Sequence, residues 1–464
     1  MRINPWEVTT AALRLLTRAA RRPQHPLRMN STEGPFQGVH LRWPIDRDAQ
    51  PFAVRVVEPR DLVLGGDTGV LSEVMRELIS PVALPLDRFD DATVPPVLTR
   101  YDLVTFPEAF ATPSAVLAVA EAISPLGPSG CLHFGLRPDE PSSGHLFDTT
   151  AVRSLVERFT RLTDSALGDL DGFVRWLDDQ PPDGWFNIGC VLAVDADSKL
   201  RVCLHPKLIR SKFEVDTLPE RHMSEANLLC LVTLQPRNAR FGTITMQPLI
   251  CSDALSIGSD RGLATPIAAI TRHADCIPDP PNHVDVVSVA TCTPQPEGRR
   301  LDGSRFREWH LQFLDAFRDA AEHGDCARHH LSSFVLANYT EIGKGLGGGL
   351  SGAFLPLPPV FKRIIPTVSV SCWGRHAKEP KPNNAWSGPD DDALTSWSSL
   401  GFVAGLDPFA VDPAATARIF AFDLHRLPRE RSRWRSEGSI VSLRITELHT
   451  GSGRMNETNP GVPA

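Results

Sequence analysis

The sequence predicts an α/β fold, and three observations support this class. Short runs rich in β-branched and apolar residues alternate with segments of helical periodicity from Phe52 onward. Hydrophobic residues make up 42% and charged residues 22% of the 464 residues, so the chain can bury a sizeable core. Several strand-like runs also end at one ionisable or thiol side chain, as in an α/β sheet that exposes a site at one edge.

The order of the elements follows from local periodicity. Strands are predicted at 52–57, 102–106, 131–135, 241–250, 283–292, 331–339, 417–427 and 439–448, and helices at 69–79, 113–123, 150–178 and 304–322. Two apolar runs, 185–194 and 199–205, are joined by a four-residue polar loop, which predicts a β-hairpin. This hairpin ends just before Lys207.

Composition divides the chain into three parts. Residues 1–51 are predicted to form a basic amphipathic helix and a linker, because the first 32 residues hold six arginines and one glutamate. This helix is expected to dock on its own domain or a partner, or to act in targeting or at a membrane surface. Residues 52–434 are interpreted as one large domain with an enlarged loop region at 355–416, and 435–464 as a C-terminal strand and flexible tail.

Charge, hydropathy and cysteine usage exclude several classes of protein. The net charge of −7 and the pI near 6.1 give no basic field for a phosphate backbone, so nucleic acid is not expected as a partner. No run approaches the ~20 apolar residues that a membrane span requires. Nine cysteines without a Cys-x-x-Cys pair argue against a zinc site and predict free thiols in the reducing cytoplasm.

Three apolar runs each carry a reactive side chain near their ends. They are DLVTFPEAF (102–110), RVCLHPKLIR (201–210) and MQPLICSDAL (246–255), which contain Glu108, Lys207 and Cys251. A buried carboxylate or ammonium is costly unless it is paired. The two charged residues are therefore expected to pair beside the thiol.

A thiol, an ammonium and a carboxylate in one pocket are suited to acyl transfer. Cys251 is the expected nucleophile, and the charge of Lys207 is expected to favour the thiolate and then the oxyanion. Glu108 can accept the thiol proton and later donate one to the leaving amine. The backbone N–H of Ser252 can also donate to the oxyanion, an effect of about 3 kcal/mol in well-studied enzymes.

These motifs resemble those of the nitrilase superfamily, the carbon–nitrogen hydrolases. The family's segments match Phe106-Pro107-Glu108, the hairpin lysine Lys207, and Leu249-Ile250-Cys251-Ser252-Asp253. Weaker matches follow in an Ala-Asn strand end with a glycine-rich turn, FVLANYTEIG (334–343) and GGGLSGAF (347–354), and in Ala421 to Leu424. The similarity covers about residues 52–434 in patches.

The resemblance implies a four-layer αββα sandwich in which residues 52–434 are the catalytic domain, with an N-terminal extension and enlarged loops. It implies a Glu-Lys-Cys triad, no metal or organic cofactor, a small amide-like substrate and a homo-oligomer. A second family glutamate corresponds to Glu214, with Glu220 as the rival position. Pro206 and Pro248 depart from the family pattern, and Pro248 predicts that its strand is at an edge or bulged.

Several functions remain open from the sequence alone. The leading hypothesis is hydrolysis of a non-peptide carbon–nitrogen bond, in an amide, nitrile or carbamoyl group, through a thioester on Cys251. Transfer of the acyl group to an amine uses the same chemistry. A catalytically silent module for sensing or assembly is the alternative from another class. A Cys-His protease is a further alternative, although His205 and the other histidines near these motifs have no carboxylate partner in sequence.

Overall fold

The structure, a computed structural model, describes about half of the chain. The described residues are 35–46, 52–60, 70–71, 74–75, 78, 101–140, 144–162, 167–211, 214, 222–237, 242–254, 266–293, 297–299, 305–307, 328–329, 332–340, 351–356, 400–402, 415–424, 440–448 and 456–457. The predicted basic helix, the rival Glu220 and most of the 355–416 loop region lie outside them. So does most of the predicted C-terminal tail.

The strands are short, and helices separate several of them in the first half of the chain. The strands are β1 (Gln37–Ile45), β2 (Phe52–Pro59), β3 (Leu103–Thr105), β4 (Cys131–Gly135), β5 (Phe147–Asp148), β6 (Trp185–Phe186), β7 (Ile188–Val194), β8 (Leu200–Pro206), β9 (Leu228–Pro236), β10 (Ile244–Ile250), β11 (Val286–Ala290), β12 (Glu297–Arg299), β13 (Arg305–Arg307), β14 (Ser333–Ala337), β15 (Gly352–Pro356), β16 (Leu400–Phe402), β17 (Ala417–Leu424), β18 (Ile440–Leu448) and β19 (Asn456–Glu457). The helices are α1 (Pro113–Ile123), α2 (Thr149–Leu162), α3 (Leu167–Asp178) and α4 (Pro266–Arg272).

Most strands belong to two large sheets. One sheet has the order β1-β9-β10-β11-β14-β15-β16, and the other has the order β19-β18-β17-β2-β3-β4-β7-β8. Both sheets mix parallel and antiparallel neighbours. The chain is therefore a mixed α/β protein, and the α/β class is confirmed. The four-layer order of the sandwich stays a prediction.

The two sheets contact each other through their central strands. Strand β11 contacts β3 and β4, β14 contacts β2 and β3, and β10 contacts β7 and β8. Side chains such as Val104, Phe134 and Val289 are fully buried in one apolar cluster. Each side chain of this kind stabilises the fold by about 1.5–3 kcal/mol relative to an exposed one. Helix α3 packs against β8 and β1.

Parallel pairing brings several strand ends to the same edge of each sheet. Strands β2, β3 and β4 run parallel, as do β10, β11 and β14. In the hairpin, Ile188 at the start of β7 pairs with Pro206 at the end of β8. On its other side, Gly189 of β7 pairs with Gly135 at the end of β4. The residues that follow β3, β4 and β8 are therefore held near one another. Hydrogen bonds from the N–H groups of Leu208 and Ile209 to Asp253 bring the residues after β10 to the same place.

Local signals account for the elements that match their predicted bounds. Helix α1 begins after Thr112, whose side chain accepts a hydrogen bond from the N–H of Ala115 at 3.2 Å, and Pro113 occupies its first turn. The predicted hairpin is confirmed as β7 and β8. The amphipathic stretch 150–178 forms the two helices α2 and α3.

Two local predictions were wrong. Residues 37–45, placed in a linker, form strand β1, which pairs in parallel with β9. The physical signal was the alternation of buried Val39, Leu41, Trp43 and Ile45 with more exposed neighbours. Residues 305–307, placed at the start of a helix, form the short strand β13.

Pro248 has no backbone N–H to donate, and it lies where β10 pairs with only one neighbouring strand. Strand β10 pairs with β9 only over Ile244–Met246, whereas its pairing with β11 continues to Ile250. Pro248 is therefore beyond the last residue of β10 that pairs with β9, a local edge of the kind that a proline requires. No helix among the described residues combines the length and the apolar character needed to cross a membrane.

Candidate active site

Glu108, Lys207 and Cys251 follow three different strands and are all buried. Glu108 comes three residues after β3, Lys207 directly after β8, and Cys251 directly after β10. Their exposed fractions are 4%, 1% and 7%. Three polar side chains at strand ends are thus removed from water, which is favourable only when they satisfy one another.

The ammonium group of Lys207 lies between two carboxylates. Its Nζ donates to Oε1 of Glu108 at 2.8 Å and to Oε1 of Glu214 at 3.0 Å. The side-chain amide of Asn187 donates to the same two oxygens, at 2.7 and 3.2 Å. Glu214, predicted through the family resemblance, therefore joins the pair directly.

The charges of this cluster stabilise one another. Burial alone would disfavour the ammonium, but the carboxylates of Glu108 and Glu214 outweigh it and raise the pKa of Lys207 well above its usual value. Burial likewise disfavours the carboxylate of Glu214, but Lys207 and a hydrogen bond from His145 lower the pKa of Glu214 well below its usual range. Lys207 is accordingly a cation and Glu214 an anion at neutral pH.

Glu108 is held by its backbone as well as by its side chain. Its Oε2 accepts the N–H of Cys292 at 3.1 Å, and its carbonyl accepts the hydroxyl of Tyr339 at 3.0 Å. The next residue, Ala109, has a positive φ of 55°, a conformation that costs a non-glycine residue energy. A Cβ on Gly135 would lie 2.3 Å from Cα of Glu108, so only glycine allows β4 this close approach.

Cys251 sits in a strained turn beside this cluster. It has a positive φ of 44° and begins a single 3-10 turn over Cys251–Ala254. Its Sγ is 3.2 Å from Oγ1 of Thr293, and the charges of Glu108 and Lys207 are close enough to shift the pKa of its thiol. The structure thus brings all three predicted residues to one buried place.

The thiol of Cys251 is neutral in the resting protein. Burial, followed by the charge of Glu108, raises the pKa of Cys251 to about 12, although Lys207 and the hydrogen bond to Thr293 act in the opposite direction. Lys207 acts in the expected direction, towards the thiolate, but burial and the charge of Glu108 outweigh it. Desolvation and the nearby carboxylate together outweigh one ammonium that is already paired with two anions.

Ser252 and Asp253 tie the cysteine turn to the segment after Lys207. The hydroxyl of Ser252 donates to the carbonyl of Ile209 at 2.6 Å. One carboxylate oxygen of Asp253 accepts the N–H groups of Leu208 and Ile209, at 2.9 and 2.8 Å. Its other oxygen accepts the N–H of Ile250 at 3.3 Å. The role of the Ser252 N–H at an oxyanion stays a prediction.

His145 is partly exposed at the edge of the cluster. Its Nε2 is 3.2 Å from Oε1 of Glu214, and the two residues with Glu108 are close enough to share a metal ion. The ammonium of Lys207, however, already donates to both carboxylates. These residues are therefore satisfied by an internal cation.

The histidine that the protease alternative named lies elsewhere. His205 Nε2 is 3.1 Å from Nε2 of His133, in the buried layer between the sheets. Within the described part of the chain, the side chain that hydrogen-bonds Cys251 is Thr293 and not a histidine. The geometry does not favour a Cys-His pair.

Sequence reasoning missed the residues that support the site. They are Asn187, Thr293, Asn338, Tyr339 and His145. In the structure, Asn338 directly follows β14, Thr293 comes three residues after β11, and Asn187 directly precedes β7. A position at or just beyond a strand end is the signal that identified Cys251. His145 belongs to a polar, proline-bearing stretch that gave no signal.

Comparisons with known proteins found similarity in structure but none in sequence. No protein-family model and no curated protein matches the chain. A crystal structure of an N-terminal amidase with an Asn-Glu-Ala peptide is 9% identical, with a TM-score of 0.30, over 66% of this chain and 90% of that one. A cysteine-to-serine variant of N-terminal amidase is 9% identical, with a TM-score of 0.34, over 81% and 99%.

Proposed function

We propose that this protein hydrolyses the carbon–nitrogen bond of a small amide through a thioester on Cys251. The observation that carries the proposal is the buried ion pair between Glu108 and Lys207, to which the thiol of Cys251 is electrostatically coupled. A carboxylate, an ammonium and a thiol are the three groups that acyl transfer by a cysteine requires. The match of their segments to the nitrilase superfamily supports the same chemistry.

The first half-reaction forms the acyl-enzyme. Because the thiol is neutral at rest, its proton passes to the carboxylate of Glu108 as sulfur attacks the amide carbonyl. The carbonyl oxygen becomes negative, and the ammonium of Lys207 and the N–H of Ser252 stabilise it. Glu108 then returns the proton to the amine nitrogen, the carbon–nitrogen bond breaks, and a thioester remains.

The second half-reaction releases the acid. Glu108, again a carboxylate, takes a proton from water as the water oxygen attacks the thioester carbonyl. The tetrahedral intermediate collapses with loss of the Cys251 sulfur, which regains the proton from Glu108. The products are one carboxylic acid and one amine or ammonia. The turn strain at Cys251 supports this role, because strained backbone concentrates at reactive positions.

The test is detection of the acyl-enzyme by intact-mass spectrometry. The protein is mixed with a library of small amides, nitriles and carbamoyl compounds, quenched in acid and weighed. Wild-type protein should gain an acyl mass and release the acid, whereas Cys251→Ala should show neither. Cys276→Ala, which removes a part-buried thiol near the end of α4, is the matched control and should behave as wild type.

Two outcomes would overturn the proposal. Turnover by Cys251→Ala at the wild-type rate would show that another group is the nucleophile. Complete absence of an adduct and of turnover across the library would favour the catalytically silent module instead. Product analysis with an added simple amine distinguishes hydrolysis from acyl transfer: a transferase forms the N-acyl amine at amine concentrations far below that of water, whereas a hydrolase still releases the acid.

A further inference from the structure

The hydroxyl of Thr293 is in direct contact with the reacting sulfur. Its Oγ1 lies 3.2 Å from Sγ of Cys251, and the residue is 5% exposed. Among the described side chains, no other one forms a hydrogen bond to this sulfur. A buried hydroxyl can accept a hydrogen bond from a thiol or donate one to a thiolate, because it carries both a proton and lone pairs.

The backbone of Thr293 is fixed on both sides by one amide. Oδ1 of Asn338 accepts the N–H of Thr293 at 3.2 Å, and Nδ2 of Asn338 donates to the carbonyl of Thr293 at 3.2 Å. Asn338 is itself held, since its N–H donates to Oγ of Ser351 at 2.9 Å. The N–H of Ser351 donates to the buried carboxylate of Glu58 at 3.1 Å. This chain of hydrogen bonds leads from the sulfur into the core.

Tyr339, the residue after Asn338, contacts Glu108, which is the expected proton acceptor. The hydroxyl of Tyr339 donates to the carbonyl of Glu108 at 3.0 Å. Asn338 and Tyr339, the two residues after β14, therefore contact Thr293 and Glu108, respectively. This arrangement sets the position of Thr293 and Glu108 relative to each other.

We propose that Thr293 is a further catalytic residue, whose hydroxyl directs the Cys251 thiol and donates to the sulfur as negative charge develops, and that Asn338 positions it. This inference rests on the function proposed above. At rest, the hydroxyl donates to a lone pair of the sulfur, so the S–H group stays available to Glu108. As the proton moves from sulfur to Glu108, the hydroxyl proton points to sulfur and offsets part of the cost of a buried thiolate. No atom is gained or lost in this step.

The main test replaces Thr293 with valine, which has nearly the same shape but no hydroxyl. Loss of one hydrogen bond to a charged atom predicts a fall in kcat of about 10- to 100-fold, with KM changed less than about twofold. The second measurement needs no substrate: the rate of alkylation of Cys251 by iodoacetamide at pH 9, followed by peptide mapping. It should fall by a similar factor. Thr293→Ser should restore most of both rates.

Thr291→Val is the matched control, because Thr291 is a fully buried threonine in the same segment whose Oγ1 has no hydrogen-bond partner in the described structure. It should leave both rates unchanged. If Thr293→Val fails to fold, the smaller variant Thr293→Ala replaces it and should lower both rates in the same way. Wild-type kcat and alkylation in a folded Thr293→Val or Thr293→Ala protein would overturn the inference.

The positioning role of Asn338 is tested by a double-mutant cycle. Asn338→Ala alone should lower the alkylation rate and kcat but not KM. Added to Thr293→Val, it should cause no further loss in alkylation, because it acts through the hydroxyl that is already absent. Additive losses would refute this role. If wild-type protein turns over no amide while Thr293→Val still slows alkylation, the proposed function fails and the contact of Thr293 with the sulfur stands.

Discussion

Nζ of Lys207 and Oε1 of Glu108 are 2.8 Å apart, in an ion pair that is almost completely removed from solvent. The two residues are 99 positions apart in the chain, and a hydrogen bond from Lys207 to Glu108 joins them at the centre of the site. A pair of this kind tolerates the loss of neither partner, since the remaining charge would be buried alone. Because Glu214 binds the same ammonium, removal of Lys207 would leave two anions in contact range.

Replacement of Lys207 with methionine should therefore destabilise the protein by about 3–5 kcal/mol and abolish turnover. Urea denaturation measures the first effect, and the acyl-enzyme assay measures the second. Lys199→Met, at an exposed position in the β7–β8 turn, is the control and should change stability by less than about 0.5 kcal/mol. Wild-type stability in Lys207→Met would contradict the buried ion pair.

Replacement of Gly135 with alanine should displace Glu108. The added Cβ would lie 2.3 Å from Cα of Glu108 and 2.8 Å from the carbonyl oxygen of Pro107, and both are backbone atoms that cannot rotate away. Overpacking of this kind costs about 1–3 kcal/mol, and we expect the rate of acyl-enzyme formation to fall with it. Gly168→Ala, in helix α3 with nothing within 4 Å of the new Cβ, is the control. Equal effects at both positions would argue against the close approach.

Asp253 should make the protein less stable as pH rises. Burial raises the pKa of Asp253 to about 8, against the opposing effects of Lys207 and three backbone N–H groups. The unfolded value is about 3.9, so between these pH values the folded state binds more protons, and stability falls as pH increases. Asp253→Asn removes this contribution. Urea denaturation should show that the free energy of unfolding falls less between pH 5 and pH 8 in the variant than in the wild type. An equal fall in both proteins would exclude Asp253 as the cause.

The buried histidine pair should make the protein less stable in acid. Burial lowers the pKa of His205 to about 3, and burial together with His205 lowers that of His133 well below its usual value. The unfolded chain takes up these protons near pH 6.5, so stability falls as pH decreases from there towards 3. His205→Gln keeps a polar partner for His133 but cannot titrate. Its stability should decline less between pH 7 and pH 4, as measured by denaturant unfolding.

Much of the fold could be predicted because its signals are local. Helix α1 and strand β4 have their predicted bounds, since a capping threonine, a proline and a run of apolar residues act within a few positions. Strand β1 was missed although its alternating pattern was present, because the prolines and charged residues around it favoured a linker. A short strand becomes ordered only when a neighbour such as β9 pairs with it.

The sequence by itself determined which residues of this protein can carry chemistry: Glu108, Lys207 and Cys251 each stand where an apolar strand ends. The tertiary structure alone decided how they are arranged and what surrounds them. Asn338 contacts Thr293 from 45 positions away and Tyr339 contacts Glu108 from 231, so no local pattern predicts either hydrogen bond. The neutral state of the Cys251 thiol has the same origin, because desolvation depends on the packing of two sheets and not on neighbouring residues in the chain.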